Sequence, residues 1–385
     1  MSSPTNVESS PSPTHQDEEI PLPNKQYTIP STGHTYAYIY YPAKNVEGDG
    51  SGEKKIKEKE KGTLLWLHGF PSTSAEWRHQ IPYFLHLGYG ILAPDLLGYG
   101  ETSKPLNINA YIGKSMAAEI VAIIDHEQIR SPLIAIGHDW GTYLLSRLAT
   151  FHGDRFEKFV FMSVPFTRPG VKGDVHAVNG KTRRELGYEV LGYQVWFAED
   201  GEAGRIMGEN WESFFNIIYP SSPLIWTTSF APLGSLRHFL LTSTPSSTSH
   251  LLAPWISPQA KDHHHQAFRA NYDAPLMWYK RGMASLGWED ERRALERGEI
   301  ESGLGGKGKR VLMVAGLRDT LCDAGVARRV MRGCVEGGGL KCVDVDAGHW
   351  IMLEKPGETN EILRRFFEGE EVVEGTEDII RHSEF

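Results

Sequence analysis

Short, almost uninterrupted apolar runs recur along this chain, at residues 63–67, 90–93, 133–136, 159–162, 311–314 and 340–343. No other feature constrains the fold as strongly. A strand with one face in water alternates apolar and polar residues, whereas a parallel strand covered on both faces reads as a continuous apolar run. Between the runs lie segments with apolar residues three and four apart, at 117–129 and 143–151, which is helical spacing. Strand–helix alternation of this kind predicts an α/β protein with a mostly parallel sheet flanked by helices. A further β-prone stretch, Tyr36-Ala37-Tyr38-Ile39-Tyr40-Tyr41, is expected to open the sheet.

The rhythm stops near Pro165 and resumes near Arg310. The interval holds Trp196, Trp211, Trp226, Trp255, Trp278 and Trp288, six of the chain's 10 tryptophans, and few strand signals. It reads as a helical lid inserted over the carboxyl edge of the sheet. The expected organisation is a disordered Ser/Pro-rich tail at 1–24, a core at 25–165, the lid at 166–288, the rest of the core at 289–372 and a tail at 373–385. The Gly- and Lys-rich stretch 48–61 is expected to be a solvated loop, and 303–309 a return loop.

Composition removes several classes of function. Lys and Arg number 40 against 49 Asp and Glu, a net charge of −9, which argues against a nucleic-acid partner. Cys322, Cys334 and Cys342 are too few for a disulfide framework. No signal-peptide pattern and no run of 18 apolar residues is visible, so a cytoplasmic protein without a transmembrane segment is expected. Self-association into a homo-oligomer is left open.

In open parallel sheets, sites form beyond the carboxyl ends of the strands. After the run 133–136 stands Gly137-His138-Asp139-Trp140-Gly141, whose small flanking residues suit a sharp strand-to-helix turn that projects Asp139. After the last run stands Gly348-His349-Trp350, and Asp319 follows the run before it. A carboxylate in that place can accept the His349 Nδ1–H and fix its tautomer. After the run 63–67 stands His68-Gly69-Phe70-Pro71. The backbone amides of Phe70 and Trp140 would form an oxyanion hole, with His68, Gly69 and Pro71 shaping the loop.

An aspartate nucleophile changes the chemistry. Attack on an ester or amide carbonyl would give an anhydride, whereas attack on an electrophilic sp³ carbon gives an alkyl ester that water can cleave. With His349 activating that water, the residue types point to opening of a strained ring or cleavage of a carbon–halogen bond.

Over roughly residues 25–370 these motifs, with Asp95-Leu96-Leu97-Gly98-Tyr99-Gly100, resemble the epoxide hydrolases of the α/β-hydrolase superfamily. Two lid segments add to the likeness: Gly192-Tyr193-Gln194-Val195-Trp196-Phe197 and Met277-Trp278-Tyr279-Lys280-Arg281. The resemblance implies that Tyr193 and Tyr279 donate to the epoxide oxygen, with Tyr188, Tyr219 and Tyr272 as competitors for those roles. It implies conversion of an epoxide to a vicinal diol through an ester on Asp139, with no metal or organic cofactor. The apolar, aromatic lid suggests a small lipophilic substrate. Two alternatives use the same scaffold: a haloalkane dehalogenase, whose halide-binding tryptophan Trp140 would match, and a non-catalytic sensor of small ligands. Fluoroacetate dehalogenases carry arginines where Trp140 and Tyr143 stand here, so a small haloacid is disfavoured. His263-His264-His265 is expected to be a solvated helix start, and Cys322 a buried structural thiol.

Overall fold

The computed structural model describes residues 19–44, 61–130, 132–199, 201–269, 272–304, 309–335 and 337–372. The expectations for the tail before residue 19, for 48–60, for 305–308 and for 373–385 fall outside the described residues.

Eight strands form one sheet: β1 (Lys25–Thr28), β2 (Thr35–Tyr41), β3 (Thr63–Leu67), β4 (Gly90–Pro94), β5 (Leu133–His138), β6 (Lys158–Met162), β7 (Arg310–Gly316) and β8 (Leu340–Val345). Their spatial order is β1-β2-β4-β3-β5-β6-β7-β8. The pairs β1–β2 and β2–β4 are antiparallel, and every later pair is parallel. Every residue of β3, β4, β5 and β6 is buried, which is why those strands read as unbroken apolar runs. This is the α/β-hydrolase fold. Contrary to expectation, the sheet opens on β1 rather than on the tyrosine-rich strand. Its sequence, Lys25-Gln26-Tyr27-Thr28, is short, polar and solvent-facing, so it carried no apolar signal.

Register places the carboxyl ends side by side. Leu67 pairs with Gly137 across β3–β5, and Gly316 with Val345 across β7–β8. His68, Asp139, Asp319 and His349 therefore emerge on one edge of the sheet.

Between Met162 and Arg310 the regular elements of the described residues are all helical, apart from the isolated bridges Pro220–Leu252 and Leu304–Val335. Caps fix where these helices begin. Asp174 accepts from the Ala177 amide to start Val175–Leu186, and Ser257 accepts from the Ala260 amide ahead of Pro258 to start Pro258–Phe268. That second cap corrects the reading of the histidine tract, which lies inside the helix and is not solvated. His264 is buried, and burial, aided by its two histidine neighbours, pulls its pKa down to about 3. His263 Nε2 lies 3.0 Å from Thr73 Oγ1, and His265 stacks on Trp211 at 3.9 Å. The tract joins the helical layer to the loop after β3. Among the described residues no helix is long and apolar enough to cross a membrane.

Candidate active site

Asp139 sits between β5 and the helix Trp140–His152 with φ 49° and ψ −121°, a conformation that L-residues seldom adopt. The turn closes because Gly141 has no side chain: a Cβ there would lie 2.0 Å from the Leu67 carbonyl oxygen. Gly69 does the same for the facing loop, where a Cβ would come within 2.4 Å of Asp139 Cβ. The close approach lets the Phe70 amide donate to Asp139 Oδ1 at 2.8 Å. As the first residue of its helix, Trp140 also has an amide without an intrahelical partner.

The loop itself is held by His68, which is fully buried. Its Nε2 accepts from the Leu96 amide at 2.9 Å, so Nδ1 carries the proton and donates to the Gly69 carbonyl at 2.9 Å. Burial lowers the pKa of His68, in keeping with this neutral tautomer. The Pro71 carbonyl accepts the Tyr219 hydroxyl at 3.0 Å.

His349 Nδ1 lies 2.7 Å from Asp319 Oδ2. The other Asp319 oxygen accepts from the Leu321 and Cys322 amides at 2.9 and 3.0 Å, so this carboxylate has both oxygens occupied. His349 Nε2 is left with its lone pair turned toward Asp139 Oδ2, 3.8 Å away, too far for a direct hydrogen bond. Burial alone would lower the pKa of His349. The Asp319 charge and hydrogen bond outweigh it, with smaller help from Asp139 and Glu76, and the net shift is upward.

Beneath these groups lies a pair that local motifs did not reveal. Glu76 and His138 are both fully buried, with Oε1 and Nδ1 3.0 Å apart. His138 Nε2 and Ser163 Oγ both reach the His349 carbonyl, at 3.1 and 2.8 Å. Glu76 is separated from every motif residue in sequence, and only the fold brings it under them.

The helical layer supplies the opposite wall. Tyr193 is on Gly192–Ala198 and Tyr279 on Asp273–Met283, with ring centroids 6.0 Å apart. Both line a cavity of about 370 Å³ together with Phe70, Asp139, Trp140 and His349. Burial first, and then the nearby Asp139 charge for Tyr193 and the Tyr193 and Asp139 charges for Tyr279, push both phenols well above their ordinary pKa. The Tyr193 oxygen accepts from Gln194 Nε2 at 3.2 Å, and the Tyr279 ring stands edge-on to Trp140 at 5.1 Å, its hydroxyl bonded to none of the described residues. Both O–H protons therefore remain available for donation. The competing tyrosines are committed elsewhere: Tyr188 donates to the Thr320 carbonyl, Tyr219 to that of Pro71, and the Tyr272 hydroxyl pairs with His264.

Cys322 lines the cavity and is not merely a core thiol, although burial and the Asp319 charge push its pKa well above 9.0 and keep it protonated. Its sulfur, an Asp319 oxygen and a His349 nitrogen lie within 4.8 Å of one another. The hydrogen bonds of Asp319 account for that closeness as the support of a histidine.

A family model described as the alpha/beta hydrolase fold matches residues 62–198. The chain is 26% identical to the bifunctional epoxide hydrolase 2 of Mus musculus over 321 residues, 80% of this chain and 52% of that protein. The chain thus spans about half the length of the bifunctional relatives it matches. It is 27% identical to epoxide hydrolase A of Mycobacterium tuberculosis over 333 residues, covering 85% of this chain and 97% of the relative. The crystal structure of epoxide hydrolase A from Mycobacterium thermoresistibile superposes with a TM-score of 0.68 at 23% identity, covering 91% of this chain and 99% of that one.

Proposed function

We propose that this chain, an α/β-hydrolase-fold protein with epoxide hydrolases among its relatives, hydrolyses a lipophilic epoxide to a vicinal diol. One observation carries the reading. An aspartate, not a serine, occupies the strained turn, and two buried tyrosines with unspent O–H groups share its cavity.

In the first step Asp139 Oδ2 attacks a ring carbon while Oδ1 stays on the Phe70 amide. The carbon–oxygen bond of the ring breaks, and the departing oxygen takes a proton from Tyr193 or Tyr279. The product is an alkyl ester on Asp139 and one tyrosinate. In the second step His349 Nε2 removes a proton from water, which attacks the Asp139 carbonyl carbon. The Phe70 and Trp140 amides hold the resulting oxyanion. Collapse releases the diol and restores the Asp139 carboxylate, and the proton on His349 returns to the tyrosinate through solvent. The sum is epoxide plus water to diol. Asp319 keeps His349 in the tautomer this sequence needs.

The core is read as residues 25–165 and 289–372 and the lid as 166–288, acting in the cytoplasm with no metal, organic cofactor or nucleic acid. A dehalogenase could use Trp140 but would leave the unspent O–H groups of Tyr193 and Tyr279 without a task.

The test is intact-protein mass spectrometry of His349→Gln, incubated separately with aryl and alkyl epoxides and with haloalkanes. Without its base the variant is expected to accumulate an adduct equal to the whole epoxide, mapped to Asp139. An adduct lacking the halogen, formed from haloalkanes alone, would move the chain to dehalogenation. No adduct from any compound would favour a binder.

A further inference from the structure

The helical layer is tied to the sheet side by polar and ring contacts of two kinds. Tyr219 donates to the Pro71 carbonyl at 3.0 Å, the Trp278 indole to the Leu97 carbonyl at 2.9 Å, and the Trp350 indole to the Ile218 carbonyl at 2.8 Å. Arg281 rests on the Tyr143 ring at 3.8 Å, with no bonded carboxylate among the described residues. Phenols, indoles and guanidinium groups keep one charge state from about pH 5 to 8. The tie made by His263, whose Nε2 lies 3.0 Å from Thr73 Oγ1, is different, because an imidazole titrates within that range.

His264 lies deeper, 5% exposed in a box of rings. Phe268 stacks on it at 4.5 Å, and Phe215 and Tyr219 stand near-perpendicular to it at 4.9 and 5.8 Å. Its Nε2 lies 3.2 Å from the Tyr272 hydroxyl, and no carboxylate among the described residues bonds it. The charges facing His263 are Asp95 and Arg78, of opposite sign, and both Asp95 oxygens already accept from the Ser74 and Glu101 amides. Lys25, Glu101 and Arg269 line the groove beside it, with Lys25 paired to Glu127. The charges nearest His264 are its two histidine neighbours. On the same helix Asp262 is exposed and Lys261 is paired with Glu212 at 2.5 Å. A cavity of about 30 Å³, room for one water, reaches both imidazoles and Glu76, which is itself paired with His138.

A proton on His264 would therefore have no anion to pair with, and ring faces offset only part of what burying a cation costs. Burial lowers the pKa of both imidazoles. At His263 the Asp95 charge opposes this and Arg78 adds to it, while His264 is brought down to about 3. A base with a lowered pKa contributes fully above the pKa it has when exposed, and its contribution is lost as pH falls below about 6.5. His349 has the opposite sign: its pKa is raised, so acid strengthens its contribution and cannot imitate the effect.

We propose that His263 and His264 form an acid-released latch, in which taking up protons undocks the helix Pro258–Phe268 from the loop after β3 while the sheet keeps its structure. Undocking reaches the site through Thr73. That residue caps the turn Ser74–Trp77, which carries Glu76 beneath His138, and it belongs to the loop that presents the Phe70 amide.

The experiment is hydrogen exchange read by mass spectrometry, corrected for intrinsic rates, between about pH 7.5 and 5 on wild type, His264→Gln and the double variant His263→Gln/His264→Gln. In wild type the opening equilibrium of peptides from 258–268 is expected to rise about tenfold per pH unit for each proton taken up, below about pH 6.5, with β5 and β6 peptides unchanged. Glutamine can still hydrogen-bond Tyr272 but takes no proton, so His264→Gln should lower the slope and the double variant should abolish it. A merely structural role would change the level of exchange and not its slope. Opening of 258–268 that is independent of pH, or that matches β5 and β6 at every pH, would overturn the proposal. So would a wild-type slope in the double variant. Should His264→Gln fail to fold, the wild-type pattern and His263→Gln, at the more exposed position, decide.

Discussion

The two walls of the cavity are built on opposite principles. On the sheet side the polar groups are tied down: Asp319 makes three hydrogen bonds, Asp139 Oδ1 is held by the Phe70 amide, and the His349 carbonyl is gripped by His138 and Ser163. On the helical side Tyr193 and Tyr279 are held by aromatic packing, against Phe230 at 4.7 Å and Phe197 at 4.9 Å, and keep their O–H groups unspent. A nucleophile and a base must be fixed to within a fraction of an ångström, which hydrogen bonds do well. A proton donor for a leaving oxygen must stay unsatisfied until the substrate arrives. Aromatic packing places such a donor without consuming it.

If this contrast holds, the largest loss follows removal of the group that the sheet wall was built to fix. Asp139→Ala is expected to lower kcat/KM for an epoxide by about 10⁵ or more, and to leave no ester under single-turnover mass spectrometry. Diol formation near the wild-type rate would break the assignment.

Asp319→Asn tests whether the ties themselves matter. Loss of the carboxylate should cost about 10³ in the hydrolysis step, because the tautomer and orientation of His349 are no longer enforced. The pH profile moves as well. His349 must be neutral to take a proton, so hydrolysis is lost as pH falls through its pKa, which in the native site lies above the ordinary 6.5. Without the Asp319 charge, burial dominates and the pKa falls, so the acid limb of the pre-steady-state ester hydrolysis rate should shift to lower pH. A limb that stays in place would mean that Asp319 only supports the loop.

On the lid wall, Tyr193→Phe and Tyr279→Phe should each lower the alkylation rate by about 10², since the partner tyrosine can still donate, and the double variant should fall much further. Stopped-flow quenching of the cavity tryptophans, Trp140, Trp226, Trp288 and Trp350, gives the readout. Single variants that leave alkylation unchanged would remove the lid from the chemistry.

Much of the sheet wall was legible because its determinants are local. A turn such as Gly137-His138-Asp139-Trp140-Gly141 carries its steric requirements within five residues, and the strands that present Asp319 and His349 announce themselves as apolar runs. The lid tyrosines could be found only through resemblance, because a buried phenol with a free O–H has no sequence signature that separates it from a packed one. Glu76 and Arg281 stayed hidden for a related reason. What marks each is a partner present or absent in space: His138 for Glu76, and for Arg281 the lack of a bonded carboxylate among the described residues. The histidine tract misled because three adjacent polar residues look solvated, while a helix turns them toward different neighbours, Thr73, a buried aromatic cluster and Trp211.

The smallest expected effect sharpens the contrast most. Tyr272 is as buried as Tyr193 and also belongs to the helical layer, stacked on Phe268 at 5.1 Å. Its hydroxyl, however, is already paired with His264 Nε2 at 3.2 Å, and burial holds that histidine neutral. Tyr272→Phe removes one neutral hydrogen bond and leaves the imidazole short of a partner, which should cost about 1–2 kcal/mol of stability in chemical denaturation. Alkylation should keep its wild-type rate. If Tyr272→Phe were to slow alkylation as much as Tyr193→Phe does, burial within the lid, and not the unspent proton, would be the property that matters, and the distinction between the two walls would collapse.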